Sequence, residues 1–180
     1  MALIVETGAG LINADAYISV ADADIYHDNY GNTGWATLDD DVKAQCIRKA
    51  TQYMINMYRM RWLGRRVQVT QALDWPRVGV VIKDFGGTQG RTGFGSYGLF
   101  QIAFTIVPQD IKNACAEFAL RASIGPLADD LSQRVISETV GPVSVTYDVN
   151  SPQFTRYRNI EGMLKVYLAP NSSMVKLVRT

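Results

Sequence analysis

The longest stretch of helical periodicity follows the acidic run Asp39-Asp40-Asp41. Val42, Cys46, Ile47, Ala50, Tyr53, Met54 and Met57 recur at three- and four-residue steps, which makes one apolar face of a helix. Arg48, Lys49, Gln52 and Arg59 fall off that face. Thr37 is the expected N-cap, with Asp40 at the capping-box position, and Trp62-Leu63-Gly64 is the break. Upstream, Ser19 with Asp22 three residues on has the same capping spacing. It predicts a helix from Val20 to about Tyr30, stopped at Gly31, with Ala21, Ile25 and Tyr26 on its apolar side. A third helix is expected from Gln109 to about Ser123, after Pro108 and before Gly125-Pro126. Its stripe is Ile111, Ala114, Cys115, Phe118, Ala119 and Ala122. A fourth, short one carries Ile160, Met163, Leu164, Tyr167 and Leu168 and ends before Pro170.

Elsewhere the period shortens. Leu3–Val5 and Ala16–Ile18 read as short extended runs around the Gly8–Gly10 turn. Val78–Ile82 and Leu99–Val107 are β-rich, and between them KDFGGTQGRTGFGSYG places six glycines in sixteen residues. Two apolar strands with a glycine-rich tip predict a long hairpin or finger. The tip is no phosphate-binding loop, because no Gly-Lys-Ser/Thr ending opens a helix there. The segment 133–147 alternates apolar and polar residues about a Val140-Gly-Pro turn, the pattern of a half-buried hairpin. The expected fold is α+β, mainly α: a small bundle of about four helices with one or two β-hairpins. Its organisation is a body over 1–150, including the finger at about 78–107 and the hairpin at about 133–147, and a C-terminal helix and tail over 151–180 forming an arm.

With 180 residues, one domain with an arm accounts for the chain, and neither metal nor disulfide is needed to complete its core. Charge alters the picture only locally. The net charge is +1, so any affinity for nucleic acid must come from a patch. Such a patch exists between Val42 and Leu73, which holds seven Lys/Arg and no Asp or Glu. Arg59, Arg61, Arg65 and Arg66 gather where the long helix ends. There they complement the helix dipole or contact phosphate or the acidic groups of a neighbouring subunit. Asp39–Asp41 read as dipole partners at the opposite end rather than half a metal site. Cys46 and Cys115 sit in helical apolar patterns and read as reduced core residues. The opening MALIVETGAG lacks the basic region of a signal peptide, and no apolar run approaches membrane-spanning length.

Candidate catalytic chemistry is sparse. His27 is the one histidine and reads as an exposed helix residue without a Cys or second His to pair with. The acidic residues show no spacing for paired acid–base work. No catalytic residue, metal site or cofactor is expected. Trp35 reads as a plug at the edge of a core. Trp62 and Trp75 are core packing or a base-stacking platform, packing being favoured. Phe85, Phe94, Tyr97 and Phe100 are candidates for a surface covered by another chain, as are Met174, Val175, Leu177 and Arg179 in the apolar-basic tail.

The opening ALIVETGAGLINADAYISVADADIYH and GNTGWATLDD, the helix RKATQYM, the W-x-G-R-R step and QALDWPR together resemble a family of tailed-phage and prophage proteins. The P-x-x-I-K-x-A-x-x-E-x-A helix at 108–119 and the V-G-P-V-x-V-x-Y hairpin at 140–147 continue that resemblance to about Leu168. The long glycine-rich segment at 81–104 departs from the shorter members. The family carries two labels. One is head–tail connector or adaptor: a virion protein whose ring, of twelve subunits by resemblance, joins the portal vertex to a tail or nozzle protein and lets double-stranded DNA pass. The other is a single-stranded-DNA-binding protein similar to the primosomal protein DnaT. The first label implies a protein made in the host cytoplasm and placed at the head–tail interface, with no membrane or small-molecule partner. The compact body and projecting arms favour it, and the arginine-rich, tryptophan-flanked segment favours the second. Neither label brings catalytic residues.

Overall fold

A computed structural model describes residues 2–81, 101–128 and 155–169, together with the backbone of 137–140 and 143–146. Helices dominate, so the fold is α+β, mainly α. The helices are α1 (Val20–Asn29), α2 (Thr33–Ala36), α3 (Asp40–Tyr58), α4 (Gln109–Ile124) and α5 (Arg158–Leu164), the last continued by a 3-10 turn at Lys165–Tyr167. Two antiparallel pairs accompany them. β1 (Arg65–Arg66) pairs with β2 (Arg77–Val78), and β3 (Ser137–Val140) pairs with β4 (Val143–Thr146) in the register Val140↔Val143.

The core is built on α3 lying against α4. Cys46, Ile47, Ala50 and Met54 of α3 and Ile111, Ala114, Cys115, Phe118 and Ala119 of α4 are buried. The small residues let the helices approach, with Thr51 Oγ1 3.4 Å from Cys115 Sγ. α5 adds Ile160 and Leu164, both fully buried, and each such side chain contributes about 1.5–3 kcal/mol. The helix assigned above to a C-terminal arm therefore belongs to the core. Ile160, Leu164, Tyr167 and Leu168 all join the same buried cluster, and Trp62 pairs with Leu168.

Local chemistry explains most boundaries. Ser19 caps α1, its hydroxyl accepting from Asp22 N–H at 3.0 Å, and Tyr30 and Gly31 close it. α3 starts later than expected: Asp39 is its N-cap, and the Thr37 hydroxyl donates to Gly34 O at the end of α2. On α1 the expected apolar side holds only at Tyr26. Ala21 and Ile25 face solvent, while Ala23, Tyr26 and His27 are buried. The helix is rotated because Tyr26 and His27 find polar partners on α4. Val42 and Met57 lie at the margins of the α3 face and are half exposed. Val81 pairs with Gln101 at the base of the glycine-rich segment. Residues 82–100, with Phe85, Phe94, Tyr97 and Phe100, and the tail with Met174, Val175, Leu177 and Arg179 lie outside the described residues.

Candidate nucleic-acid interface

The arginine-rich segment begins where α3 ends. Tyr58 and Trp62 turn inward and are buried, which leaves the intervening residues outward. Leu63 N–H donates to Tyr167 O, and Ala169 N–H donates to Arg61 O at 2.7 Å. Gly64 then turns the chain with φ +66°, a left-handed conformation that favours glycine. It also lies so close to Val78 O that a Cβ would overlap it. β1 follows, with Arg65 and Arg66 both exposed.

Behind β1 stands a buried polar scaffold. Arg77 donates from Nε to Leu63 O (2.7 Å), from one terminal nitrogen to Gly64 O (2.8 Å) and from the other to Asp74 O (3.1 Å). Burial pulls its pKa below the ordinary arginine value, an effect opposed by the Asp74 and Tyr17 oxygens. Asp74 is fully buried. Its Oδ1 accepts from Arg59 Nε at 2.8 Å, and its backbone N–H donates to the Tyr17 hydroxyl at 3.0 Å. Gln71, also buried, donates to Leu73 O and Pro76 O and accepts from Gln68 N–H. Trp75 is packed edge-on between Trp62 (5.8 Å) and Tyr167 (5.7 Å).

The four arginines thus divide. Arg59 is committed to Asp74, though its side chain remains 47% exposed. Arg61 lies half-buried with its guanidinium 5.8 Å from the Tyr58 ring centroid. Arg66 spends one nitrogen on Gln71 O at 3.1 Å, and Arg65 has no side-chain partner among the described residues. The edge can therefore offer Arg65, most of Arg66 and the outer faces of Arg59 and Arg61 to anions. Trp35, Trp62 and Trp75 are all buried, so none is a stacking platform. Asp74, Arg77 and Gln71 carry the geometry and were not singled out from sequence. Their signal was the polar residues interleaved with the tryptophan in QALDWPR.

His27 corrects its expectation. It is buried, with Nε2 3.1 Å from Ala116 O and Nδ1 3.1 Å from Asn32 Nδ2. A carbonyl only accepts, so Nε2 carries the proton and Nδ1 accepts from the amide. Both ring nitrogens are occupied, and burial lowers the imidazole pKa. Trp35 closes over the ring and donates from Nε1 to Asp24 at 2.6 Å. Among the described residues no group of three or more His, Cys, Asp or Glu side chains could hold a metal ion, and no helix is long and apolar enough to cross a membrane.

No curated protein matches the chain, and no solved structure matches it. One protein-family model, described as "Putative DnaT-like ssDNA binding protein", matches residues 1–180. It carries the second of the two labels considered above and says nothing of a head–tail connector. With the match extending over its whole length, the chain belongs to this DnaT-like family.

Proposed function

We propose that the protein binds single-stranded DNA chiefly through phosphates, using the arginine edge formed by Arg59, Arg61, Arg65 and Arg66, and that it is not an enzyme. The observation behind this reading is that Arg65 and Arg66 are exposed on a short strand whose back is locked by the buried Arg77–Asp74–Gln71 scaffold. A backbone held in this way presents the arginines to a flexible phosphate chain without first having to order itself. Family membership points the same way. Four phosphate contacts give a salt slope of about −2.8, so affinity falls roughly 50-fold between 50 and 200 mM salt. Fluorescence anisotropy with a labelled oligothymidylate tests this. Arg65→Ala with Arg66→Ala should lower the slope's magnitude by about 1.4. No binding at low salt, or a slope the double variant leaves unchanged, would refute the reading.

A second reading, the head–tail connector, is favoured by the way charge separates along α3. Asp39, Asp40 and Asp41 lie at its start, and the arginines lie beyond its end. Nineteen residues separate the two by about 28 Å. Opposite charge on two distant faces suits a head-to-tail contact that closes into a ring. In this reading the ring, twelve subunits by family resemblance, would bind portal and tail or nozzle proteins in a virion and pass double-stranded DNA. Particle images of the purified protein, alone and with a portal, separate the two. Rings that Arg65→Glu with Arg66→Glu abolishes support the connector, and monomers under both conditions rule it out.

A further inference from the structure

Three loops meet beside the arginine edge. The loop at 6–12 is drawn around Glu6, whose carboxylate accepts from the N–H groups of Gly8, Gly10 and Leu11 at 2.8–2.9 Å. On one side, Gly8 packs directly on the Thr105 carbonyl, with no room for a Cβ. On the other, Ala9 O accepts from Gln68 Nε2, and Leu11 O accepts from Ala72 N–H. The loop at 67–72 leads straight out of β1, and Arg66 donates to Gln71 O within it. The turn at 103–106 is therefore tied, through the glycine loop, to the strand that carries Arg65 and Arg66.

These loops hold apolar side chains that the core does not use. Val69 is 90% exposed, Ile12 72%, Phe104 53% and Ile106 47%. Phe104 is distinctive because its exposure is built in. Ile102 N–H donates to Val80 O, Ile106 N–H donates to Ala103 O, and Val107 is buried. Both ends of the turn are anchored while the ring between them stays out. Among the described residues the tryptophans are buried and offer the arginine edge no exposed ring.

We propose that Phe104 is the base-stacking residue of the interface. One unpaired base of a single-stranded DNA lies on its ring, while Arg65 and Arg66 hold phosphates of the same strand. This rests on the single-strand reading above and adds a second, apolar component to it. Single-stranded DNA offers both an anionic chain and accessible apolar faces, whereas a duplex keeps its bases stacked on one another.

The test compares binding of a labelled oligothymidylate and a labelled duplex to wild-type protein and to Phe104→Ala, Phe104→Leu and Phe104→Trp. Phe104→Ala and Phe104→Leu should weaken single-strand binding about 5- to 150-fold, the range for losing one stacked base. Phe104→Trp should restore it, and duplex binding and melting temperature should not move. Photocrosslinking from a halogenated deoxyuridine oligonucleotide should map to 103–106. If Phe104→Ala binds like wild type while Arg65→Ala with Arg66→Ala binds weakly, the stacking role is overturned and the phosphate reading stands. An equal loss on both DNA forms, or crosslinks that avoid the turn, also overturns the stacking role. Absence of any single-strand binding by wild-type protein removes both.

Discussion

Gly64→Ala separates the two demands made on the turn that carries the arginine edge. At φ +66° an alanine pays about 1–2 kcal/mol for the left-handed conformation. Its Cβ would also overlap Val78 O and come within 2.9 Å of Val80 Cγ2. The carbonyl is backbone in β2, so relief requires β1 and β2 to part. That strains the Arg77 hydrogen bonds to Leu63 O and Gly64 O; one such charged bond contributes about 1.5–3 kcal/mol. The expected total is about 3–5 kcal/mol, or roughly 6–20 °C in melting temperature at this chain length. Gly31→Ala is the control: φ is +67° there, but nothing lies within 4 Å of a Cβ. It should lose only the conformational part, about 1–2 kcal/mol. Urea denaturation of both variants at one pH provides the comparison. Equal losses would show that close packing against Val78 contributes nothing and that β1 is not held as described.

Acid should weaken the protein through His27. Burial lowers its folded pKa, so its contribution is complete above the unfolded value of 6.5 and is lost as pH falls through that value toward the lower folded one. The Ala116 carbonyl, Glu117 and Asp24 temper this, and Arg121 adds to it. His27→Gln should flatten stability between pH 7 and 5, and an unchanged profile would remove His27 from the account. Arg59→Met strands the fully buried Asp74, whereas Asp74→Asn returns the half-exposed Arg59 to water. Arg59→Met should be the more destabilising by about 1–2 kcal/mol in denaturant titrations, and the reverse order would count against that assignment. Burial pushes the Cys115 thiol up to about 11 and raises Cys46 as well. Both should resist a thiol reagent at pH 8 until the protein unfolds; prompt labelling of the native protein would contradict the packing of α3 on α4.

What could be read from sequence was local. The apolar stripe of α4 was legible residue by residue, because all six predicted positions point one way at 3.6-residue spacing. The Ser19 cap was legible for the same reason, since its partner is three residues away. Burial of charge was not legible. Tyr26 meets Glu117 across 91 positions and His27 meets Ala116 across 89, and no periodicity encodes a partner at that distance. Thr37 and Asp39 are both good caps two residues apart, and only the bond from Thr37 to Gly34 O decides between them. The arginine cluster was found by composition, but its division into committed and available groups depended on Asp74, a single acidic residue in a tryptophan-rich turn. The tryptophans were legible as core, since packing was the favoured reading and all three are buried.

The packing of Trp62, Trp75 and Tyr167 has a consequence for the order in which the chain can fold as it is made. α3 and α4 can dock as soon as both have left the ribosome, since their facing residues end at Ile124. The two indoles cannot be covered then, because Tyr167 and Leu168 are synthesised more than forty residues later. Until they arrive, a nascent chain presents two large aromatic rings at the root of its arginine edge. Completion of the core and maturation of that edge are thus one late event, set by delivery of α5 and visible as the loss of tryptophan exposure in ribosome-bound chains of increasing length.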